Sequence, residues 1–389
     1  MASVDYLSPR KTRSLLALTI FFFSASQLGI HFWPESALLY GLRIDYLAPT
    51  IYLLDLLVVL YLVTHFFKKK RPIFPTAIFF LPLLVINLLY SMNPIISLVW
   101  SGRLFLYLSL LDTLSTRDLK NSLTPLTVVA TIEILLALAQ VILGRSLQGI
   151  FYWFGERMFT LSSPNIAKSS FFKELALRAY GSFSHPNALS GWLVGVFIFA
   201  CVLKAQRKLI VYLALLVFFS LVLTQSLTSA FAFFVLALPL CVLNRALLPK
   251  YFIVLTLIAL PLFPYISRSR SLRTSLGERL KLEKTSLSIV RAFPLFGVGS
   301  SSSLTAYTPN NNPSRLLQPD HNSLTLMGSW FGLAGIISLF IFFANRPRNN
   351  LRPFLPLLPL LLFDHFLLTS VQGLFILLLI FKSVGTTYD

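Results

Sequence analysis

The sequence has few charged residues for its length. Asp, Glu, Lys and Arg make up 12% of the 389 residues, whereas hydrophobic residues make up 56%. An average soluble domain carries about 25% charged residues. This scarcity of charge excludes an ordinary soluble domain and favours a chain that lies mostly in lipid.

Cysteine is also scarce. Cys201 and Cys241 both lie within apolar runs, so the pattern predicts no disulfide framework and does not indicate a redox compartment. The runs are continuously apolar rather than alternating, which argues against a β-barrel. The sequence therefore favours a helical membrane protein.

Motifs for metals and nucleotides are missing as well. The sequence has no spaced ligand motif such as His-x-x-x-His, no Asp-x-Asp pair, and no glycine-rich nucleotide loop after a strand. We therefore predict no metal site and no cofactor, no nucleic-acid partner, and a donor other than a cytoplasmic sugar nucleotide.

Apolar runs of about 20 residues recur along the whole chain, and each matches the ~30 Å hydrocarbon core of a bilayer. They predict an all-α membrane protein, a single polytopic domain over residues 1–389 with about twelve transmembrane helices. The last two runs are short and interrupted by proline, so eleven is the alternative. The first run follows a basic start without a clear cleavage site, which predicts an uncleaved first helix. The predicted spans cover residues 14–32, 46–67, 73–91, 95–113, 122–143, 187–203, 209–226, 229–247, 251–267, 322–344, 353–368 and 370–382.

Lys and Arg concentrate in every second loop. Basic short loops stay on the cytoplasmic side, so both termini are predicted inside. Two long segments, residues 144–186 and 268–320, then fall on the outer side. The second is itself basic, which indicates an anionic ligand; attachment to anionic lipid headgroups is the alternative.

Within the 268–320 segment, apolar residues recur at helical spacing from Gly277 to Phe293. They predict an amphipathic helix at the membrane interface, ended by Pro294. Its apolar positions are Leu276, Leu280, Leu287, Ile289 and Val290.

The entry to the predicted span at residue 187 is the first candidate site. We expect Asn187 to cap that helix through its side-chain carbonyl. Arg178 and His185 then lie at the outer surface, where they can hold phosphate or sugar hydroxyls. A plain helix entry with an interfacial histidine is the alternative.

The amphipathic helix and the turn after it form the second candidate. Arg279 and Arg291 can each make bidentate hydrogen bonds to phosphate oxygens. Gly297-Val298-Gly299, followed by four serines, predicts a flexible turn whose backbone N–H groups can bind an anion. A plain loop is the alternative for the turn.

Asp320-His321-Asn322 is the third candidate. Asp320 or Asn322 can simply cap the helix that follows, but histidine is the side chain best suited to take a proton near neutral pH. His321 is therefore the candidate general base, with Asn322 beside it.

Ionisable residues inside the apolar runs are costly and are candidates for function. For Asp55, Arg103 and Glu133 we favour mutual ion pairing that fixes helix contacts. Asp364 and His365 lie near the outer end of their span, where they can border the same cavity as the other candidates.

Taken in order along the chain, these motifs resemble the O-antigen ligase superfamily. The resemblance covers roughly the C-terminal half by motif and the whole chain by topology. One departure is Leu227-Thr228-Ser229, where many members carry an arginine after the serine. The matching stretches are Arg178 to Asn187, Thr224-Gln225-Ser226, Glu278-Arg279-Leu280, Pro294 to Gly299, and His321-Asn322 followed by Gly332 to Ile336.

The resemblance implies a GT-C-like, metal-independent glycosyltransferase of lipopolysaccharide or polysaccharide biosynthesis in the bacterial inner membrane. Its donor is a glycan on undecaprenyl diphosphate, its acceptor is a hydroxyl of a glycan, lipid or protein, and its site faces the periplasm among membrane lipids. By the resemblance, His321 activates or orients the acceptor, while Arg279 and Arg178 contact the diphosphate. Asp364 matches the C-terminal acidic position.

Other functions remain open at this point. A polymerase of the same superfamily would join repeat units on the same carrier, and the residues do not separate it from a ligase. A transporter or flippase of polyprenyl-linked glycans would show paired halves with broken helices, which the sequence lacks.

Overall fold

The computed structural model describes residues 9–67, 74–164, 166–171, 174–239, 270–308, 311–312, 316–344 and 354–386. Over these residues the chain is mostly helical. The α-helices are α1 (Pro9–Phe22), α2 (Leu53–Phe66), α3 (Pro75–Leu89), α4 (Pro94–Thr113), α5 (Thr116–Asn121), α6 (Leu123–Leu143), α7 (Pro186–Val202), α8 (Arg207–Thr224), α9 (Leu227–Phe231), α10 (Arg270–Ala292), α11 (Ser323–Ala344), α12 (Leu358–Phe363), α13 (Phe366–Thr369) and α14 (Val371–Thr386).

Short strands pair as three antiparallel hairpin-like ladders outside the helices. β1 (Gly29–His31) pairs with β4 (Thr50–Tyr52), and between them β2 (Leu38–Leu39) pairs with β3 (Leu42–Arg43). β5 (Lys168–Phe171) pairs with β6 (Glu174–Leu177) just before α7. The strands satisfy backbone groups of the connections between helices.

The membrane character of the chain is supported by its helices. Four are long and apolar enough to cross a bilayer: Pro94–Thr113, Thr116–Leu143, Arg207–Thr224 and Ser323–Ala344. Several shorter apolar helices accompany them. The count of twelve spans stays a prediction, and so does the side of the membrane that each loop faces. The predicted span 251–267 lies outside the described residues.

The first two predicted spans are shorter as helices than the sequence indicated. Span 14–32 leaves the α-helical conformation after Phe22, and span 46–67 becomes an α-helix only from Leu53. The intervening residues form the β1–β4 ladder instead. Apolar composition alone did not reveal this, because β1 and β4 are only three residues long and lie near the ends of longer apolar runs.

The last two predicted spans contain a break. The helix of span 353–368 stops at Phe363 and restarts at Phe366, so that Asp364 and His365 lie between α12 and α13. Backbone groups freed at such a break need partners. Asp364 supplies one, because its Oδ1 accepts the His365 N–H at 2.8 Å.

Helix α7 forms the centre of the fold. Its residues from Pro186 to Ala200 are buried on every side, as expected for a helix that is apolar all round. Two glycines let its neighbours approach closely: a Cβ at Gly191 would meet the Phe366 ring at 2.5 Å, and one at Gly195 would meet Ile376 at 2.9 Å. This small-xxx-small spacing packs α7 tightly against the segment that contains α13 and α14.

Cys201, at the end of α7, is disulfide-bonded. The sequence pattern did not predict that bond, because both cysteines lie within apolar runs that carry no disulfide signature.

A buried ion pair joins α2 to α4, as the sequence predicted for Asp55 and Arg103. Arg103 Nη2 lies 3.0 Å from Asp55 Oδ2 and also donates to the Thr50 carbonyl at 2.6 Å. Tyr107 donates to Asp55 Oδ1 at 2.7 Å. Both carboxylate oxygens of Asp55 and the Nε and Nη2 atoms of Arg103 therefore have partners, which a buried pair requires.

The prediction that Glu133 joins this ion pairing is wrong. Its carboxylate instead accepts from the Ser182 N–H at 2.8 Å and the Ser182 hydroxyl at 2.7 Å. Gly181 is left-handed (φ +57°), and a side chain there would collide with the Glu133 carboxylate. Glu133 thus fixes the loop that leads into α7.

The amphipathic helix is confirmed as α10, and it begins earlier than predicted, at Arg270. Its apolar residues divide between two faces. Leu282 and Ile289 are buried against the protein, whereas Leu276, Leu280 and Leu287 are exposed by 45%, 58% and 38%. The exposed leucines suit a helix that lies at a membrane surface.

The turn after α10 is neither flexible nor free to bind an anion. The N–H groups of Val298 and Gly299 donate to the carbonyls of Ser329 and Trp330 at 2.9 and 3.1 Å, and the Ser300 N–H donates to Asn87 Oδ1 at 2.7 Å. These backbone donors therefore already have acceptors within the protein. The turn anchors α10 to α3 and α11.

We expect Asp55→Ala to destabilise the fold by about 3–5 kcal/mol, because it leaves the buried Arg103 guanidinium without its carboxylate. The thermal midpoints Tm of the purified proteins in one detergent measure this. Asp45→Ala is the control, since the Asp45–Arg157 pair is exposed and 3.9 Å long and contributes at most about 1 kcal/mol. Equal drops in Tm for the two variants would contradict the assignment.

Candidate functional site

A cavity of about 990 Å³ opens between the β1–β4 ladder, α4, α10 and the break at residues 364–365. A cavity of this size holds a large organic ligand. Six of the residues singled out by the sequence line it together: Arg178, His185, Asn187, Arg279, His321 and Asp364. The structure thus brings residues from distant parts of the chain to one place.

Two predicted site residues lie elsewhere. Arg291 is exposed near the end of α10 and is not among the residues that line this cavity. Asn322 is also outside the lining and donates from Nδ2 to Glu283 at 3.0 Å. Asn322 therefore ties the start of α11 to α10.

His321 lies in the turn that precedes α11. Asp320 accepts the Asn322 N–H at 3.1 Å, and Asn322 Oδ1 accepts the Leu324 N–H at 3.0 Å. Asp320 also accepts the Thr325 hydroxyl. These bonds fix the backbone on both sides of the histidine.

The ring of His321 has an unused nitrogen. Its Nδ1 is buried and has no hydrogen-bond partner. The pKa of His321 lies below its ordinary value, because burial disfavours the imidazolium and the neighbouring His365 adds to the effect. The ring is therefore neutral near pH 7 and has a lone pair available.

Arg279 lies on α10 and is half-buried at the cavity wall. Its Nε is buried without a hydrogen-bond partner. A guanidinium always carries its charge, and a buried donor without a partner is costly. The cavity thus contains a positive group whose hydrogen-bonding capacity is not met by the protein.

Arg178 is held in place by two bonds. Its Nε donates to the Thr224 carbonyl at 2.6 Å, and its Nη2 donates to Asn187 Oδ1 at 2.8 Å. Burial lowers the pKa of Arg178 to about 10, a shift that Tyr180 opposes and Arg279 increases. Arg178 still carries its charge at pH 7, and the positive charges of Arg178 and Arg279 repel each other.

The prediction that Asn187 caps α7 is wrong. The cap is His185, whose Nδ1 accepts the Asn187 N–H at 3.2 Å, while the Asn187 side chain is used to hold Arg178. His185 itself is exposed to the cavity. His185 rather than Asn187 is the cap because Pro186 occupies the first helical position, so the extended residue before the helix is His185.

His365 faces His321 across the cavity, with ring centroids 4.9 Å apart. Its Nδ1 lies 2.7 Å from Thr369 Oγ1. The Tyr46 ring packs edge-on against His365 at 5.5 Å. The sequence placed Asp364 and His365 near such a cavity, but it did not indicate that His365 contacts His321.

The sequence analysis did not predict the wall that residues 27–52 form. Trp33, Tyr46 and Tyr52 line the cavity from this side, and Arg157 reaches the same rim near Asp45. These residues were read as parts of two membrane spans and their connection. The available clue was the set of polar aromatic residues Trp33, Tyr40, Tyr46 and Tyr52 between the first run and the start of the second.

Two histidines and an aspartate come close enough to share an ion. The ligand atoms of His321, Asp364 and His365 all lie within 4.8 Å of one another. The sequence predicted no metal site because a spaced motif was missing. His321 lies 43 residues before the adjacent pair Asp364-His365, a separation that a spacing rule does not detect.

The arrangement places two guanidinium groups, a neutral imidazole and a carboxylate around one cavity. Such a site can bind an anion through the arginines and accept a proton at His321.

Comparison with known protein families gives one match for this site. Residues 192–341 match the family described as O-Antigen ligase, a region that contains Arg279 and His321. No curated protein and no solved structure matches the chain. The family match, over residues 192–341, supports the resemblance to the O-antigen ligase and polymerase superfamily seen in the motifs.

Proposed function

We propose that this protein transfers a glycan from an undecaprenyl-diphosphate carrier to an acceptor hydroxyl at the periplasmic face of the bacterial inner membrane, as an O-antigen ligase does. The observation that carries the proposal is the pair of unpartnered nitrogens, Arg279 Nε and His321 Nδ1, in one cavity. A donor and an acceptor left unused by the protein are available to a substrate.

The arginines stabilise the leaving group. In the reaction the acceptor oxygen attacks the anomeric carbon, and the bond from that carbon to the diphosphate oxygen breaks with its electron pair. Negative charge then grows on the undecaprenyl diphosphate. Arg279 and Arg178 supply fixed positive charge and N–H donors where this charge develops, an effect that is large in a partly dry cavity.

Binding of the diphosphate also relieves a cost of the free protein. The charges of Arg178 and Arg279 repel each other, and Arg279 Nε lacks a partner. An anion between them offsets both. Arg178 is pre-positioned by Thr224 and Asn187, so little side-chain order is lost on binding.

His321 takes the proton of the acceptor hydroxyl on its Nδ1. Its ring is neutral near pH 7 and can accept a proton, although its lowered pKa makes it a weaker base than a free imidazole. The turn bonds through Asp320 and Asn322 hold the ring at a fixed position relative to the arginines. A carboxylate oxygen of Asp364 lies within 4.8 Å of a ring nitrogen of His321, so Asp364 stabilises the imidazolium that forms.

The membrane arrangement fits a lipid-borne donor. The exposed leucines of α10 lie on the same helix as Arg279. A helix placed at the interface would present Arg279 at the depth of a lipid diphosphate. The basic character of the 268–320 segment then attracts the anionic carrier toward the cavity.

The acceptor separates the ligase from the polymerase of the same superfamily. A ligase passes the glycan to lipid A–core or protein, and a polymerase passes it to another carrier-linked repeat unit. Supplying purified protein with one donor and each acceptor in turn decides between them. Movement of intact donor across the bilayer without transfer would instead favour a flippase.

We expect His321→Ala to lower the rate of glycan transfer by ~10²–10⁴-fold, the usual contribution of a general base, while the protein still accumulates in the membrane. A gel assay for the transferred glycan, with an immunoblot for the protein, measures both. Lys284→Ala is the control, because Lys284 is exposed and is not among the cavity-lining residues. Full transfer by His321→Ala would remove the base assignment.

We expect Arg279→Ala to raise the KM for the carrier-linked donor by about 10–100-fold, the loss expected for a charge-assisted hydrogen bond of about 1.5–3 kcal/mol. Arg279→Lys should have a smaller effect on binding, because lysine keeps the charge but loses the planar fork. Steady-state kinetics with varied donor measure the difference. Equal KM values for the two variants would argue against bidentate contact with the diphosphate.

The lowered pKa of His321 predicts the acid side of the pH profile. Since the folded-state pKa lies below 6.5, the base form persists as pH falls toward that value and is lost only at lower pH. Because burial and His365 lower the pKa of His321 to about 3, we expect kcat/KM to stay level from about pH 8 to well below 6.5 and to decline only as the pH approaches that lowered pKa. Initial rates across this range test it; a midpoint at or above 6.5 would contradict the assignment.

A further inference from the structure

We propose that His321, Asp364 and His365 form a binding site for one divalent transition-metal ion of the Zn²⁺ type, and that the bound ion inhibits the protein by occupying His321. The binding site is inferred from geometry alone. The inhibition rests on the proposed function, because it assumes that His321 is needed as a base.

The three side chains converge from two segments. His321 belongs to the turn before α11, and Asp364 and His365 belong to the break between α12 and α13. The Ser323 hydroxyl donates to the Asp364 carbonyl at 2.8 Å and links the two segments. The three ligand atoms lie within 4.8 Å of one another, and all three residues line the cavity.

Partners already orient two of the three ligands. A metal-binding histidine usually donates its other ring N–H to a nearby oxygen, which fixes the tautomer and the ring. His365 Nδ1 lies 2.7 Å from Thr369 Oγ1, so its Nε2 is the nitrogen available to an ion. Asp364 Oδ1 accepts the N–H groups of His365 and Phe366 at 2.8 and 3.3 Å, which leaves Oδ2 as the outward-facing oxygen.

The third ligand is the unpartnered group. His321 Nδ1 is buried without a hydrogen bond, and a neutral imidazole can give its lone pair to a metal as readily as to a proton. The ring centroids of His321 and His365 lie 4.9 Å apart, which is close enough for one ion to reach a nitrogen of each ring. An ion would therefore satisfy a nitrogen that the protein leaves without a partner.

The donor set selects the class of ion. Two imidazoles and one carboxylate are typical ligands of Zn²⁺ and related transition metals. Mg²⁺ and Ca²⁺ prefer sites built from oxygens. The cavity side remains open to a fourth ligand, which can be water or a substrate oxygen.

Two features limit the affinity. Donors bound to Zn²⁺ at about 2.0–2.2 Å lie closer together than 4.8 Å, so the side chains must move inward by rotation. The charges of Arg279 and Arg178 also oppose a cation, whereas Asp364 favours it. We therefore expect reversible binding in the micromolar range rather than a permanent structural ion.

The test is metal binding by the purified full-length protein in detergent, with its affinity tag removed and without donor or acceptor. Isothermal titration with Zn²⁺ should show one ion per chain, and Mg²⁺ should give no saturable signal. His365→Gln should weaken Zn²⁺ binding at least tenfold. His31→Gln is the matched control, since His31 lines the same cavity but lies outside the three-residue cluster, and it should bind normally.

X-ray absorption of the zinc-loaded protein should show nitrogen and oxygen ligands that include two imidazoles. Unchanged Tm values for the variants exclude misfolding as the cause of weak binding; a variant that fails this check is replaced by Asp364→Asn. Absence of saturable Zn²⁺ binding, or equal binding by His365→Gln and the parent, would overturn the site.

The inhibition is measured separately. Zn²⁺ should suppress glycan transfer over the same concentration range in which it binds, and a chelator should restore it. Binding without inhibition would overturn the inhibitory role alone. Full transfer by His321→Ala, with Zn²⁺ binding intact in the parent protein and lost in His365→Gln, would instead refute the base assignment and leave the ion site standing, so the two failures are distinguishable.

Discussion

The close packing of α7 against the residues around α13 and α14 is the constraint on which the site depends. Gly191 and Gly195 leave no room for a side chain next to Phe366 and Ile376, so the backbone of α7 lies directly against these two side chains. That contact brings the α7 entry, with Arg178 and His185, to the break that carries His365. A larger residue at either glycine would separate the two halves of the cavity.

The polar groups of the fold divide into those that are satisfied and those that are not. Asp55 accepts hydrogen bonds from Arg103 and Tyr107, and Glu133 accepts two hydrogen bonds from Ser182. In the cavity, Arg279 Nε and His321 Nδ1 are left without partners. In an apolar setting an unpaired group is expensive, and for these two groups a substrate or an ion in the cavity can offset the cost.

Much of the site was predictable because motifs at helix ends report directly on local structure. His321 before an apolar run and Arg279 on an amphipathic helix both line the cavity as expected. Predictions of which hydrogen-bond partner a particular group has were wrong more often. Asn187 holds Arg178 instead of capping α7, and the glycine turn after α10 anchors that helix instead of offering free N–H donors. Nothing in a linear pattern states which of several possible acceptors lies within 3 Å.

The sequence by itself determined that the chain is helical and membrane-embedded, because the length and apolar character of each run follow from the thickness of a bilayer. It also determined the chemical types in the site, since arginine and histidine are rare in such runs. Only the tertiary structure decided that residues 27–52 form a wall, that Arg291 stays outside, and that His365 faces His321. Those outcomes depend on contacts between residues far apart in the chain, and such contacts are set by how whole helices pack.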